Sequence, residues 1–334
     1  MHYTIKDIAS EAKVSVSTVS KALNGYDDIG EGTKKHVLET VERMNYVPNT
    51  FARYISNKNT RVIGLTIPDI RDPYFAQSAY GIEEKLWEND YQVFHGNLDR
   101  KADRLLEFIR RARAMRFDGL IITPDCWNEA IREALMRLDI PVISLRRRPP
   151  EALGIPYIDS DHYEGAMQLL KYLYGRGHRK IAHVKLPNEA GNIREVAYKD
   201  FCAQSGIEER FVSVDIPASI LTDAVKNGNM GCKEVLEKWP DTTAIFAGSD
   251  FISIGVMSYL REIGKKVPDD ISVVGVGNIE YARLPWFDLT TLELHRYEMG
   301  LEVAKALLRR LGGEKIDNLL FTSSLVERNS VRNV

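Results

Sequence analysis

The stretch TIKDIASEAKVSVSTVSKALNG, residues 4–25, predicts two short helices that meet at a tight turn. The first helix places four apolar residues at the i, i+3, i+4 and i+7 spacing of one face, namely Ile5, Ile8, Ala9 and Ala12. After the turn at 13–15, the second helix has an apolar inward face made of Val19, Ala22 and Leu23. Such a pair is typical of a helix-turn-helix, whose second helix lies in the DNA major groove. An ordinary helical hairpin that caps a domain would show the same periodicity and is the alternative.

The order of residues in this stretch is more informative than its periodicity. T-I-K-D-I-A-x-x-A-x-V-S-x-x-T-V-S-x-x-L-N-G closely resembles the opening of the lactose-repressor (LacI/GalR) family of bacterial transcription regulators. Residues 32–75 resemble the third helix, hinge helix and first core strand of that family, in order and at the usual spacing. Weaker matches follow at YIDSDHYEGA (157–166), GHRKIAHV (177–184), TAIFAGSD (243–250) and ISVVGVGN (271–278). The resemblance therefore extends over the whole chain.

Length and composition fit a globular protein of two or three domains. The chain has 334 residues, of which 44% are hydrophobic and 28% charged. No secretion signal and no apolar stretch long enough to cross a bilayer is evident, so we expect a cytoplasmic protein without a membrane partner. Cys126, Cys202 and Cys232 are widely spaced and form no CxxC, which indicates buried thiols rather than disulfides or a zinc site.

The N-terminal segment carries almost no net charge. Residues 1–60 hold eight Lys and Arg against seven Asp and Glu, which gives +1, and the remainder holds 37 against 40, which gives −3. DNA binding would therefore rely on a few placed cations, doubled by dimerisation, rather than on a general positive field.

Beyond residue 60, short apolar runs alternate with amphipathic stretches, which predicts βα units in parallel sheets. The resemblance implies an α/β core of two doubly wound parallel-sheet lobes, similar to a periplasmic binding protein, behind an N-terminal all-α helix-turn-helix domain. The expected divisions are a DNA-binding head at 1–46, a hinge at 47–60, lobe one at 61–160 plus 291–320, and lobe two at 161–290 plus 321–334. Three crossovers would join the lobes.

The resemblance also implies which residues meet DNA, and in which role. Those expected to face base edges are Val16, Ser17 and Lys21. Those expected to contact phosphates are Ser15, Thr18, Ser20, Asn24 and Tyr46. The hinge residues expected to line the minor groove are Asn49, Ala52, Arg53, Ile55 and Ser56, with Ile55 as the wedge. A plain linker is the alternative to a hinge helix, because so short a helix is marginal on its own.

In the core, the resemblance implies a small-molecule effector in the cleft between the lobes. Tyr74 and Phe75 match an aromatic pair that can stack on the effector, and Arg194 matches the arginine that anchors it.

Four other positions of this cleft depart from the family pattern, and a fifth, Asp250, keeps it. Ser249 and Asp250 stand where Asn-Asp is usual, and Asn278 follows a glycine where an acid is usual. Arg146 follows a strand after which many relatives carry Asp, and Lys226 aligns where an aromatic residue often stacks. Acids are lost and cations gained, so we hypothesise an anionic effector such as a sugar acid or sugar phosphate. The alternative is a solvated arginine run and a pocket that binds a neutral sugar differently, or nothing.

The sequence shows no catalytic constellation. The histidines lack metal-ligand spacing, and neither GxSxG nor a Walker A motif occurs, so we expect no enzyme activity, no cofactor and no metal. The expected function is a ligand-gated regulator, most simply a repressor of a carbohydrate or related catabolic operon, that binds a pseudo-palindromic operator as a homodimer. Two other classes stay open: a solute-binding protein, and a doubly wound enzyme with an accessory helical head.

Overall fold

The computed structural model describes residues 3–23, 26, 28–46, 59–214 and 221–334, the last range without the side chains of 221 and 222. The chain forms two compact units, residues 1–60 and 61–334. Asn24 and the five predicted hinge residues Asn49, Ala52, Arg53, Ile55 and Ser56 lie outside the described residues. Across the described ranges, no helix is long and apolar enough to cross a membrane.

The first unit is a three-helix head. Its helices are α1 (Ile5–Glu11), α2 (Val16–Leu23) and α3 (Glu31–Arg43). Their shared core consists of Ile8, Ala9, Ala12, Val19, Ala22 and Val37. A capping box between Thr4 and Asp7 starts α1, and the Ser15 side chain accepts a hydrogen bond from the Thr18 backbone N–H at 3.0 Å to start α2. Lys13 has φ 53° in the turn between them, a left-handed conformation that is strained for a residue with a side chain.

The second unit contains two six-stranded sheets. The first runs in the order β11-β5-β4-β3-β1-β2, and all its pairings are parallel. Its strands are β1 (Val62–Ile67), β2 (Gln92–Asn97), β3 (Gly119–Ile122), β4 (Val142–Leu145), β5 (Tyr157–Ser160) and β11 (Leu319–Phe321). The second runs in the order β12-β10-β9-β8-β6-β7, with only the short β12 antiparallel. Its strands are β6 (Ile181–Lys185), β7 (Arg210–Ser213), β8 (Ala244–Ala247), β9 (Ser272–Val276), β10 (Thr290–Glu293) and β12 (Ser324–Val326).

Helices cover both faces of each sheet, which makes both lobes doubly wound. Lobe one carries α4 (Ala76–Trp87), α5 (Ala102–Ala114), α6 (Glu129–Met136) and α11 (Arg296–Leu311). Lobe two carries α7 (His162–Gly175), α8 (Glu189–Ser205), α9 (Leu221–Lys238) and α10 (Asp250–Glu262). Short 3-10 turns occur at Pro73–Phe75, Glu151–Leu153 and Glu280–Arg283. Each sheet thus separates two apolar clusters, and its central strands are buried on both faces, as continuous apolar runs predict.

Two of the expected lobe boundaries require correction. The boundary at 290/291 falls inside β10, whose whole length pairs with β9 and β12 of lobe two. The chain crosses after β10, where His295 has φ 49° and precedes α11. The boundary at 320/321 falls inside β11, because Phe321 pairs with Ser160 of lobe one. The three crossovers therefore lie at about 160–162, 293–296 and 321–324.

Close helix packing shapes lobe two on one face. Helices α9 and α10 meet at Gly228 and Gly255, and a Cβ atom at Gly255 would lie 2.0 Å from the carbonyl oxygen of Val225. No side chain fits there unless the two helices move apart, so these glycines are required by the close approach of the backbones.

A histidine is buried within the second sheet. His183 of β6 is fully buried, and its ring stacks on Phe246 at 4.4 Å between centroids. Its Nδ1 lies 2.9 Å from the carbonyl oxygen of Phe246, which can only accept, so Nδ1 carries the proton. Burial lowers the pKa of His183 to about 4, so the ring is neutral at pH 7.

Candidate functional site

The outward face of α2 is small and polar. Val16 and Ser17 are exposed, Lys21 is half-exposed, and Thr18 and Ser20 are partly covered. The Ser15 hydroxyl is already occupied by the Thr18 backbone N–H and lies 2.8 Å from the Thr18 hydroxyl. These side chains therefore lie along one surface of the helix that a DNA groove could contact.

Two of the residues expected to contact DNA, Lys21 and Tyr46, also contact other residues of the head. Lys21 Nζ forms an ion pair with the carboxylate of Asp28, which lies between α2 and α3. Tyr46, expected to meet a phosphate, packs in part against the apolar core of the head.

A cleft of about 660 Å³ separates the two lobes of the core. Five residues that the sequence analysis selected lie in its wall: Tyr74, Phe75, Arg146, Arg194 and Ser249. Lys226 is exposed on α9 and is not in the wall, which Ala224 lines instead. Residues two positions apart in an α-helix are rotated by about 200° around its axis. Lys226 therefore lies on the opposite side of α9 from Ala224 and does not face the cleft.

Asp250 and Asn278 lie behind the wall and hold its loops together. Asp250 is buried, and its carboxylate accepts from the Ile279 backbone N–H at 2.9 Å and from the Thr291 hydroxyl at 2.5 Å. Burial raises the pKa of Asp250 to about 6 despite these bonds. The amide of Asn278 donates to Glu293 at 2.7 Å and its oxygen accepts from Arg328. Both side chains are therefore engaged with other groups of the protein, and neither residue lines the cleft.

Three arginines lie around Tyr74, and two of them, Arg146 and Arg194, line the cleft. The guanidinium carbon of Arg146 lies 4.2 Å from the centre of the Tyr74 ring and 4.6 Å from that of Phe75. Arg296, which begins α11, lies 3.6 Å from the same Tyr74 ring and is 3% exposed. Burial raises the pKa of Tyr74, but Arg146, Arg296 and Arg194 lower it more, so the net shift is downward. The local potential is therefore strongly positive.

The third arginine, Arg194, is held by a buried chain of polar groups. Its guanidinium donates to the carbonyl of Gly248 at 2.8 Å and lies 3.1 Å from Nδ1 of His162. A guanidinium can only donate, so Nδ1 accepts and the His162 proton sits on Nε2, 3.4 Å from a carboxylate oxygen of Asp159. Burial, followed by the charge of Arg194, lowers the pKa of His162. Because Asp159 ends lobe one and His162 begins α7 of lobe two, this chain crosses between the lobes.

Positive charge in the cleft exceeds what its acids neutralise. Arg100 bridges Asp72 and Asp125 at 3.4 Å each. Arg147 of lobe one meets Glu189 of lobe two at 3.0 Å, across the cleft.

Arg146, Arg194 and Arg296, in contrast, have no carboxylate within 4.0 Å among the described residues. In that same part of the chain, Nε of Arg146 and both Nε and Nη2 of Arg296 are buried without a hydrogen-bond partner. Burial lowers the pKa of Arg194 to about 10, which still leaves it charged at pH 7. Such a group of donors is suited to an anion.

Three residues of this site, Arg296, His162 and Asp159, are not predicted from the sequence. Arg296 directly follows the crossover after β10, and His162 directly follows the crossover after β5. Their position as polar residues at lobe crossovers is the one sequence feature that could have identified them as candidates for the site. Within the described residues, no group of three or more His, Cys, Asp or Glu is arranged to hold a metal ion.

Comparisons with known proteins agree with this architecture. Residues 4–49 match the model of "Bacterial regulatory proteins, lacI family", and residues 60–329 match "Periplasmic binding proteins and sugar binding domain of LacI family". The catabolite control protein A of Priestia megaterium is 30% identical over 95% of both chains. The HTH-type transcriptional repressor PurR of Vibrio parahaemolyticus is 29% identical over 98% of both chains.

A solved structure shows the same fold over almost the full length. The crystal structure of the lac repressor dimer bound to operator and the anti-inducer ONPF superposes with a TM-score of 0.87 at 22% identity, over 99% of this chain and 100% of that one. The two family models together cover the head and nearly all of the core, and the relatives align from end to end. The chain belongs to the lacI family of bacterial regulatory proteins and is a DNA-binding transcription regulator with a ligand-binding core, not an enzyme.

Proposed function

We propose that this chain represses a catabolic operon as a homodimer, and that an anionic small molecule in the interlobe cleft controls its affinity for a pseudo-palindromic operator. The observation that carries the choice of effector is the group of three arginines around Tyr74. Guanidinium groups without carboxylate partners bind carboxylate or phosphate in the bidentate geometry that such anions prefer. A buried, unpaired cation is unfavourable, so a bound anion stabilises the surroundings that it enters.

The rest of the cleft supplies polar groups suited to a small sugar-derived ligand. Asn188, Asn192 and Ser249 line its lobe-two wall, and the Arg100 ion pairs line lobe one. A sugar acid or sugar phosphate would place its anionic group toward Tyr74 and its hydroxyls toward these groups. A neutral sugar can bond only to the polar groups that receive the hydroxyls. It therefore leaves the arginines unpaired and binds more weakly.

Calorimetry tests the charge of the effector directly. We expect a hexuronate or a hexose 6-phosphate to bind the full chain at least about tenfold more tightly than the parent hexose, because charge-assisted hydrogen bonds are each worth about 1.5–3 kcal/mol. Arg194→Ala should remove most of that preference, whereas Arg137→Ala, at the exposed residue that follows α6, should leave it intact. Tight binding of a neutral hexose that is insensitive to Arg194→Ala contradicts the proposal.

For DNA, we propose that Val16, Ser17 and Lys21 face base edges, with Ser15, Thr18, Ser20, Asn24 and Tyr46 at phosphates. Residues 47–60 would act as the hinge, with Asn49, Ala52, Arg53, Ile55 and Ser56 in the minor groove. The polar outward face of α2 supports this assignment, since the second helix of a helix-turn-helix enters the major groove. In gel shifts against a palindromic library, Lys21→Ala should relax base preference at one position of each half-site. Equal weakening on all sequences would make Lys21 a phosphate contact only.

An effector in the cleft can change DNA binding only if its affinity differs between two arrangements of the lobes. The effector must prefer one angle between the lobes, and that angle must set the spacing of the two hinges in the dimer. Asp159, His162 and Arg194 connect the lobes beside the proposed anion site, which gives the effector a contact on each side of the crossover.

A further inference from the structure

The exposed ion pair between Lys21 and Asp28 stands out on the head. Lys21 lies in the last turn of α2, and Asp28 follows that helix before α3 begins. Their side chains are 41% and 57% exposed, and neither belongs to the apolar core of the head. Exposed ion pairs contribute little to stability. The pair is therefore not needed to hold the three helices together.

A carboxylate at this place has a consequence for DNA binding. DNA phosphates repel a negative charge beside the second helix, and the head has only one excess cation to begin with. Asp28 therefore weakens binding to every DNA sequence alike, unless the groove offers its carboxylate a hydrogen-bond donor.

The major groove offers such a donor at a defined place in each base pair. Guanine presents O6 and N7 as acceptors and its partner cytosine presents the N4 amino donor, while thymine presents O4 and its partner adenine the N6 amino donor. A keto base and the amino base opposite thus place an acceptor and a donor side by side. An ammonium beside a carboxylate is the complementary arrangement, and the second acceptor of guanine favours G·C over T·A.

We propose that Lys21 and Asp28 together read one base pair of each operator half-site, with Lys21 donating to guanine and Asp28 accepting from the amino group of the paired cytosine. The reversed pair, C·G, would place an amino group against the ammonium and a carbonyl against the carboxylate. Asp28 is thus a specificity-determining residue. It disfavours the reversed base pair because its carboxylate would then face a carbonyl oxygen, and two acceptors repel each other. The inference rests on the proposed placement of α2 in the major groove.

The experiment is selection of operator sequences from a palindromic library by the full chain, followed by gel-shift affinities for the selected site and its reversed-pair variant. Three proteins are compared: the wild type, Asp28→Ala, and Glu39→Ala as the matched control. Glu39 is an exposed acid of α3 paired with Lys35, so its loss changes the net charge of the head equally without altering the α2 surface. Circular dichroism checks that all three heads are folded.

For the wild type we expect about a tenfold preference for G·C over C·G at one position of each half-site. Asp28→Ala, which removes the acceptor as well as the charge, should bind more tightly overall and lose most of that preference, whereas Glu39→Ala should keep it. If Asp28→Ala selects the wild-type sequence with unchanged discrimination, Asp28 acts only through its charge and the proposal is overturned. A wild-type chain that binds a selected operator but tolerates any base pair near Lys21 overturns it equally. A wild-type chain that enriches no sequence overturns the proposed DNA contacts as well.

Discussion

His183 should make lobe two sensitive to acid. The ring is fully buried in β6 and neutral, with its Nδ1 proton committed to the carbonyl of Phe246. Its pKa is about 4 in the folded protein against an ordinary 6.5, so the unfolded chain binds the proton first as pH falls. Stability from this residue is therefore complete above pH 6.5 and is lost as pH falls from there toward 4.

The size of the effect follows from these two pKa values. Between about pH 7.5 and about pH 5, linkage gives a loss of about 2 kcal/mol in the free energy of unfolding from His183. His178, whose pKa burial also lowers to about 4, should contribute a similar loss. Asp250 acts in the opposite direction, because its folded pKa of about 6 lies above the ordinary 3.8, and it returns about 1 kcal/mol over the same interval. His183, His178 and Asp250 together should therefore cost the wild type about 3 kcal/mol.

His183→Gln isolates the first contribution. The glutamine amide can still donate to the Phe246 carbonyl but takes up no proton, so the variant should lose about 2 kcal/mol less than the wild type over the same interval. Urea unfolding of the full chain at both pH values, followed by circular dichroism, measures the difference. His95→Gln, on the exposed edge strand β2, is the control and should keep the wild-type pH dependence. An unchanged pH dependence in His183→Gln would refute the argument.

Three further substitutions test the packing and the cleft. Gly255→Ala should lower the free energy of unfolding by about 1–3 kcal/mol in urea titrations, because its methyl group meets the backbone of α9; unchanged stability would show that the helices part freely. Glu189→Gln frees Arg147 and removes negative charge from the cleft, so calorimetry should show anions binding several-fold more tightly with no gain for a neutral sugar. A loss for both ligand classes would instead assign the ion pair to lobe closure. His162→Ala should weaken anion binding by about tenfold through misplacement of Arg194, since the hydrogen bond that His162 accepts from this charged group is lost. Thermal unfolding checks that the core is folded, and unaltered affinity would show that His162 does not position Arg194.

The head could be predicted from sequence because its determinants are local. The i, i+3, i+4 spacing of Ile5 and Ile8 with Ala9 defines α1, and the third helix that the resemblance at residues 32–75 implies corresponds to α3. The parallel-sheet core could be predicted as a class because its strands are continuous apolar runs.

The cleft could be predicted only in part, because it depends on contacts between distant segments. Arg296 and Tyr74 are more than two hundred residues apart, and no local pattern reports their stacking. Lys226 was assigned by alignment to a helix whose orientation the sequence does not specify. The boundary errors at β10 and β11 have a similar origin, since a short strand can pair with either sheet, and only long-range register decides which.

The interleaving of the two lobes also governs the order in which this protein can fold during synthesis. Lobe one begins with β1, yet its core includes Met299, Val303 and Leu307 of α11, and its edge strand β11 ends only at Phe321. The first lobe to leave the ribosome therefore cannot close its apolar core until nearly the whole polypeptide has been made, whereas the three-helix head can fold at once. The nascent chain thus acquires a DNA-binding module well before the part that would control it.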